Sequence, residues 1–140
     1  MLRVMKNVLV LCTGNSCRSI MAAALINHLG QGKFSAVSAG SFPVGYIHPQ
    51  SIETLERHGV NAGEPRNKSW DEFENRNFDQ VITVCDQAAS ESCPVFLGQC
   101  EKKNWSIPDP AKADGTNEEI EKAFDDVFQM IKNRIEKELL

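Results

Sequence analysis

The sequence predicts an α/β fold: a single-domain three-layer sandwich with a central, mostly four-stranded parallel sheet and helices on both faces. Two observations predict it. Apolar runs of strand length alternate with helix-like segments along the chain, and only short connections separate them. That order of elements implies parallel strands joined by right-handed crossovers. A chain of 140 residues is long enough to bury its own core, so we expect one domain spanning residues 1–140.

The first strand and the first helix follow each other closely. Residues 7–12 (NVLVLC) form a continuous apolar run, which is typical of a strand buried on both faces of a sheet. Residues 19–30 (SIMAAALINHLG) are rich in strong helix formers, and Gly30 is a helix stop. The sequence therefore predicts a β-strand, a short loop and an α-helix within the first 30 residues.

Strands and helices continue to alternate along the rest of the chain. The sequence predicts strands at 34–40 and 78–85, a helix at 48–59, and a short helical turn in SWDEF. A further short strand runs into a Pro/Asp/Gly loop within 103–117. The final helix follows, and its predicted apolar face carries Ile120, Phe124, Val127, Phe128, Ile131 and Ile135.

Charge and composition argue against several classes of function. The formal net charge of -4 argues against a nucleic-acid binder, since such domains usually carry a basic excess. A helix N-terminus and one arginine still form a local site for a small anion. No apolar run approaches the roughly 20 residues of a membrane span, and no secretory leader is recognisable. We therefore expect a cytoplasmic monomer that binds neither nucleic acid nor membrane.

The loop after the first strand, CTGNSCRS, is the strongest functional signal. A loop that leads from a strand into a helix presents successive backbone N–H groups to an oxyanion. Gly14 and Asn15 tolerate the left-handed backbone that such a loop needs, and Arg18 can bind two ligand oxygens. The same field favours the thiolate of Cys12, which we predict to be a nucleophile. The predicted oxyanion-binding residues are Thr13, Gly14, Asn15, Ser16, Cys17, Arg18 and Ser19.

Further reactive side chains are predicted to lie beside this loop. Cys12 ends the first predicted strand, Cys85 ends the third, and Asp109 lies in the late Pro/Asp/Gly loop. Because ligands of parallel sheets bind at the carboxyl ends of the strands, these three residues should meet at one edge of the sheet.

Four motifs resemble a known family. They are CTGNSCRS followed by a helix, SAG at 38–40, VCDQAASESCP at 84–94 and WSIPDPA at 105–111. In this order the chain resembles the low-molecular-weight tyrosine phosphatase fold, and more closely the arsenate reductases built on that fold. The resemblance covers nearly the whole chain. It implies that Cys12 attacks the oxyanion, Arg18 binds it and Asp109 is the general acid, a role that typically contributes about 10²–10⁴-fold in rate.

The number of thiols favours the reductase. A phosphatase needs one thiol because water completes its cycle, whereas reducing arsenate to arsenite takes two electrons, which two thiols supply as they form a disulfide. The resemblance implies that Cys85 attacks the Cys12–arseno adduct and that Cys93 then takes over the bond with Cys85. Ala111 follows the DP pair where phosphatases of this fold usually carry an aromatic residue, and this too favours a small inorganic anion.

Two alternatives and the electron donor stay open. The alternatives are a low-molecular-weight protein tyrosine phosphatase that hydrolyses phosphate monoesters and a phosphocysteine carrier. We expect no tightly bound cofactor or metal, with phosphate and sulfate as weak competitors of arsenate. Electrons would come from thioredoxin, or from glutaredoxin with glutathione. Several thioredoxin-linked relatives hold potassium with a glutamate where this chain has Ala23, so a potassium effect is also open.

The remaining cysteines and histidines have simpler interpretations. The cysteine count of five is odd, which disfavours a disulfide framework. Cys17 is either a small buried filler or an off-path partner of Cys12, and Cys100 is either incidental or a substitute for Cys93. Zinc binding by the cysteines of 85–100 is disfavoured because no C-x₂-C pair or nearby histidine is present. His28 and His58 suit helix C-termini, whereas His48 has no predicted role.

Overall fold

The structure is a computed structural model that describes residues 5–73, 76–84 and 101–140. Its strands are β1 (Lys6–Cys12), β2 (Phe34–Gly40), β3 (Gln80–Thr83) and β4 (Glu101–Asn104), and its helices are α1 (Arg18–Leu29), α2 (Pro49–Arg57) and α3 (Asn117–Glu138). Short 3₁₀ helices span Trp70–Phe73 and Pro110–Lys112. The last strand begins two residues before the predicted 103, and the predicted end of β3 at Cys85 lies outside the described residues.

The four strands form one parallel sheet in the order β2-β1-β3-β4. At its carboxyl end β1 pairs Cys12 with Gly40 of β2, and on its other side it pairs Leu11 with Thr83 of β3. The chain thus leaves β1 towards one side of the sheet and returns on the other, which makes the end of β1 the topological switch point where such sheets bind ligands. The predicted α/β class and parallel sheet are confirmed.

Strand β1 is buried on both faces, as its apolar run predicts. Val8 and Val10 belong to a core shared with residues of α1, α2 and α3. Leu9 and Leu11 face the other way, into a cluster that includes Trp70 of the first 3₁₀ helix. Each fully buried Val or Leu side chain stabilises the fold by roughly 1.5–3 kcal/mol relative to exposure. Among the described residues the three α-helices therefore share one face of the sheet.

Helix α3 closes that face, and its start is fixed by a capping box. Thr116 Oγ1 accepts a hydrogen bond from Glu119 N at 3.1 Å, and the Glu119 carboxylate accepts one from Thr116 N at 3.2 Å. Five of the six predicted apolar positions are buried, and Ile120 is partly buried. The helix periodicity thus predicted the packed face correctly.

The histidines lie at helix ends. His28 is in the last turn of α1, as predicted. His48, for which the sequence suggested no role, caps α2, because its Nδ1 accepts a hydrogen bond from Gln50 N at 3.1 Å. The ring of His58 stacks on Phe128 at 4.1 Å between centroids and lies 3.1 Å from Asp125. No described helix combines the length and the apolar content that crossing a bilayer requires.

Candidate active site

The loop between β1 and α1, residues 12–18, lies at the switch point of the sheet; we call it the oxyanion loop. Its outer side is held by the 41–45 segment that follows β2. Backbone N–H groups of Ser41, Phe42 and Val44 donate to the carbonyl oxygens of residues 12, 13 and 14 at 3.2, 2.9 and 3.2 Å. The β2 segment thus continues past the sheet as a support for the loop.

Side chains hold the remaining carbonyl oxygens of the loop. Asn67 Nδ2 donates to the carbonyl oxygens of Gly14 and Asn15, both at 2.8 Å, and Ser51 Oγ donates to that of Ser16 at 2.9 Å. Every carbonyl from residue 12 to residue 16 therefore accepts a hydrogen bond. The described chain has no cis peptide bond, and in a trans peptide the N–H points away from the C=O. Each N–H of residues 13–17 is accordingly turned away from the occupied carbonyl of its own peptide, and that of Asn15 points at Cys12 Sγ, as in an oxyanion cradle built around the sulfur.

Asn15 is the buried centre of the loop. It is the only non-glycine residue with positive φ in the described chain, at 50°, a conformation that asparagine tolerates better than most residues. Its backbone N–H donates to Cys12 Sγ at 3.2 Å. The left-handed conformation was predicted for Gly14 as well, and there the structure differs: Gly14 is not a positive-φ residue, and a Cβ there would stand 3.2 Å from Val44 Cγ1. Close packing against the Val44 side chain, and not a left-handed backbone, therefore explains the glycine at position 14.

A hydroxyl faces the Cys12 thiol. Cys12 Sγ and Ser19 Oγ are 2.9 Å apart, and Asn15 Nδ2 donates to Ser19 Oγ, also at 2.9 Å. Because Ser19 Oγ accepts from the amide, its own hydrogen is available to donate to sulfur. A hydrogen bond of that polarity stabilises a thiolate over a thiol. The Ser19 hydroxyl and the Asn15 backbone N–H are therefore two hydrogen-bond donors to Cys12 Sγ.

Arg18 and Asp109 meet across the mouth of the loop. Arg18 Nη1 donates to the Ile107 carbonyl oxygen at 2.9 Å, and Nη2 lies 3.7 Å from Asp109 Oδ2. Asp109 Oδ1 accepts from Ala111 N at 3.0 Å, since Asp109 caps the second 3₁₀ helix. One carboxylate oxygen is thus fixed by the backbone while the other faces the guanidinium. The structure brings Cys12, Arg18 and Asp109 to one edge, as expected from strand order.

The second loop cysteine has a different environment. Burial raises the pKa of the Cys17 thiol to about 11, and the nearby charge of Asp109 acts in the same direction against a hydrogen bond with Ser51. Cys17 therefore remains a protonated thiol at neutral pH. It is 4 % exposed, which fits the prediction of a small buried residue.

The oxyanion loop forms one wall of a small cavity. Its volume is about 110 Å³, well below the roughly 300–1,000 Å³ of sites for drug-sized ligands. The lining includes Ala111 and three residues that the sequence analysis did not identify, Val44, Tyr46 and His48. Their position just after β2, whose carboxyl end shares the edge with β1, is the signal that could have identified them. The predicted Cys85, Cys93 and Cys100 lie outside the described residues.

Comparisons with known proteins agree over nearly the whole chain. The family model described as low molecular weight phosphotyrosine protein phosphatase matches residues 7–139. An arsenate reductase of Bacillus licheniformis is 36% identical over 133 residues, 94% of each chain. A glutaredoxin arsenate reductase of Synechocystis is 30% identical over 132 residues, 94% of this chain and 95% of the relative.

Solved structures give the same result. An arsenate reductase in the phosphate binding state is similar with a TM-score of 0.75 and 28% identity over 95% of both chains. A thioredoxin-dependent arsenate reductase of Corynebacterium glutamicum is similar with a TM-score of 0.70 and 25% identity, and the match covers 98% of this chain and 63% of that one.

Proposed function

The chain belongs to the low molecular weight phosphotyrosine protein phosphatase family, and we propose that its reaction is the reduction of arsenate to arsenite by a cysteine thiol relay, for arsenic detoxification. The observation that carries the proposal is the position of Cys12 in a small cavity lined by the oxyanion loop and Arg18, with the Asn15 N–H directed at its sulfur. Arsenate is a small tetrahedral oxyanion, and relatives at 30–36% identity are named arsenate reductases.

The first step joins arsenate to Cys12. The N–H groups of the oxyanion loop and Arg18 bind the oxyanion, and the Cys12 thiolate attacks arsenic to form an S–As bond. One oxygen leaves as water, with its proton supplied through Asp109. The polar contacts support this assignment, since Ser19 and Asn15 hold Cys12 Sγ while the fixed carboxylate of Asp109 lies at the mouth beside Arg18.

The second step transfers electrons. A thiolate of Cys85 attacks Cys12 Sγ, an S–S bond forms, and the S–As bond breaks with its electron pair on arsenic, which leaves as arsenite. Cys93 then attacks Cys85, which frees Cys12. The chain position supports the role of residue 85: Val84 N donates to the Leu11 carbonyl oxygen at 2.9 Å, so the chain reaches residue 85 from a position next to the end of β1.

An external thiol donor must reduce the resulting disulfide between residues 85 and 93. Both donor types occur among the names of similar proteins, glutaredoxin in one and thioredoxin in another. We propose that one of these two systems supplies the electrons here. We further propose that residues 1–140 act as one domain, as a cytoplasmic monomer, with phosphate and sulfate as weak competitors of arsenate.

One observation favours a second candidate, a phosphatase. Tyr46 lines the cavity and is 57% exposed, so an aromatic ring stands at the mouth although Ala111 does not provide one. Such a ring could stack on an aryl phosphate.

Steady-state assays with the purified protein separate the two. Arsenite production is measured with arsenate and NADPH in the presence of thioredoxin and its reductase, or of glutaredoxin, glutathione and its reductase. Hydrolysis of p-nitrophenyl phosphate is measured in parallel. We expect arsenate-dependent NADPH oxidation with one donor system and slow hydrolysis. Rapid hydrolysis without arsenite production from either system would refute the reductase.

A further inference from the structure

Lys68 is a half-buried cation on the outer side of the oxyanion loop. Its ammonium donates to the Arg66 carbonyl oxygen at 2.9 Å and to Ser38 Oγ at 3.4 Å. Its backbone N–H donates to Asn15 Oδ1 at 2.9 Å, and its carbonyl accepts from Gly40 N at 2.9 Å. Lys68 therefore contacts the loop through both its backbone and its side chain.

A continuous row of hydrogen bonds joins this ammonium to the Cys12 thiol. Ser38 Oγ accepts from Asn15 Nδ2 at 3.0 Å as well as from Lys68. The same Asn15 amide donates to Ser19 Oγ, which faces Cys12 Sγ. Asn15, Ser19 and Ser38 are all buried. The row thus runs through the interior, where charge is poorly screened.

The chemistry of the donors fixes which group donates and which accepts at each hydrogen bond of the row, and Ser38 Oγ accepts from both of its neighbours. An ammonium group only donates hydrogen bonds, so Ser38 Oγ must accept from Lys68. Asn15 Oδ1 already accepts from a backbone N–H, so the amide of Asn15 must present its two hydrogens to the two serine oxygens. Ser19 is left to donate towards Cys12. The Lys68 backbone N–H, which occupies Asn15 Oδ1, therefore sets the polarity that the thiolate requires, and the Lys68 ammonium adds a positive charge at Ser38.

We propose that Lys68 is a positioning residue for the nucleophile, acting through Ser38, Asn15 and Ser19 to hold Cys12 in its reactive thiolate form. The inference rests on the proposed role of Cys12 and adds to it a residue that touches neither the oxyanion nor the sulfur.

The neighbouring charges leave Lys68 available for this role. Arg66 is paired with Glu72 through two hydrogen bonds of 2.8 and 2.7 Å, and the ion pairs of the described residues include none to Lys68. Burial and, after it, the charge of Arg66 lower the pKa of Lys68, whereas the charge of Glu72 acts to keep the ammonium protonated. On the cavity side, the charged or titratable residues that line the site with Cys12 are Cys17, Arg18, His48 and Asp109.

The test measures the reactivity of Cys12 against pH. Iodoacetamide alkylates the full-length protein between pH 4.5 and 9, and fragment-ion mass spectrometry quantifies Cys12 apart from Cys17. Lys68→Met removes the charge, Lys68→Arg keeps it, and Ser38→Ala breaks the row. Lys122→Met is the matched control, since the Lys122 side chain on α3 is 76% exposed.

We expect Lys68→Met and Ser38→Ala to raise the midpoint pH of Cys12 alkylation by at least about 0.3, a twofold change in the thiolate fraction below the midpoint. Lys68→Arg and Lys122→Met should match the wild type. In the double variant Lys68→Met/Ser38→Ala, the midpoint pH should rise no further than in the single variant with the larger rise, because both changes interrupt the same row of hydrogen bonds. If Lys68→Met does not fold, Ser38→Ala and Lys68→Arg carry the comparison.

Two outcomes overturn the inference. One is an unchanged midpoint in the folded variants that lack the charge or the Ser38 hydroxyl, and the other is an equal shift in Lys122→Met. A wild-type Cys12 that reacts no faster than Cys17 would instead refute the nucleophile itself, which keeps the two proposals distinguishable.

Discussion

A Cβ on Gly40 would stand 2.5 Å from the carbonyl oxygen of Thr13, so the end of β2 and the oxyanion loop approach too closely for any side chain at that position. The atom in the way belongs to the backbone and cannot rotate aside. The last glycine of the SAG motif is therefore a requirement of the loop and not of the strand.

Gly40→Ala should displace the loop. Overpacking of this kind costs roughly 1–3 kcal/mol, so we expect phosphate and arsenate, measured by titration calorimetry, to bind at least about tenfold more weakly, together with a lower melting temperature. Ser41→Ala is the control, because the buried Ser41 hydroxyl has no hydrogen-bond partner among the described residues. Equal affinity in Gly40→Ala and the wild type would contradict the role of the close approach.

Cys12→Ser and Arg18→Ala should fail in different ways. A serine hydroxyl stays protonated where a thiol does not, so we expect Cys12→Ser to bind arsenate but to retain less than about a thousandth of the activity. Arg18→Ala removes the bidentate donor and should mainly weaken anion binding. Arg18→Lys keeps the positive charge but lacks the planar pair of N–H donors. Its affinity for the anion should therefore lie between those of the wild type and Arg18→Ala. Steady-state kinetics measures the activity of each variant and calorimetry its anion affinity. Substantial turnover by Cys12→Ser would show that Cys12 is not the nucleophile.

The relay predicts different trapped species for its two later thiols. After one equivalent of arsenate, Cys93→Ser should stall with a disulfide between Cys12 and Cys85, while Cys85→Ser should release no arsenite by the internal route. Peptide mass spectrometry under non-reducing conditions identifies the bonds. Cys100→Ser is the control and should behave as the wild type. A bond from Cys12 to Cys100 in the Cys93→Ser protein would show that the order is wrong.

Asp125 should contribute to stability in a pH-dependent manner. Burial acts to raise its pKa, but hydrogen bonds from His58 and Arg57 outweigh burial and hold the pKa below the ordinary 3.8. A group with a lowered folded pKa stabilises the fold fully above its unfolded value and loses that contribution as pH falls through the folded value. Because 37% of the side chain is exposed, solvent screens the cluster, and the contribution is a few tenths to about 1 kcal/mol.

We therefore expect Asp125→Asn to lower the melting temperature by a few degrees at pH 7 and by progressively less below about pH 4. Asp126→Asn is the neighbouring control, since Asp126 is 57% exposed and, among the described residues, pairs along its own helix with Lys122. A difference from the wild type that stays constant between pH 7 and pH 3 would contradict the titration of Asp125.

Local pattern predicted most of the fold. The run NVLVLC and the alternation of strands with helices indicated a parallel sheet, and the described sheet and the family match confirm it. Boundaries were less accurate at β4, whose residues are largely exposed and polar and so carry no apolar periodicity. The short helical turn predicted in SWDEF is the 3₁₀ helix Trp70–Phe73, but the sequence did not indicate that this turn packs against the second face of the sheet, as it does among the described residues.

The site residues that lie close together in the sequence could be predicted, and those that support the loop from distant segments could not. Cys12 and Arg18 lie in one short motif, and the carboxyl-end rule placed Asp109 near them. Asn67 and Lys68 could not be predicted, because they come from an irregular segment 52–53 residues along the chain from the loop residues that they contact, and they contribute through tertiary hydrogen bonds. The roles of all these residues in the reaction stay predictions until the variants above are measured.

The occupied carbonyl oxygens of the oxyanion loop have a consequence for selectivity. Since hydrogen bonds from outside fix every peptide plane from residue 12 to residue 16, the cradle is preorganised and needs no rearrangement when an anion enters. Such a rigid site recognises shape and charge, and arsenate and phosphate have the same shape and the same charge. Phosphate is therefore expected to enter the same cradle, as the weak competitor proposed above, and the decisive discrimination comes after binding. The sulfur–arsenic adduct accepts two electrons and leaves as arsenite, whereas phosphate has no comparable reduction and must dissociate unchanged.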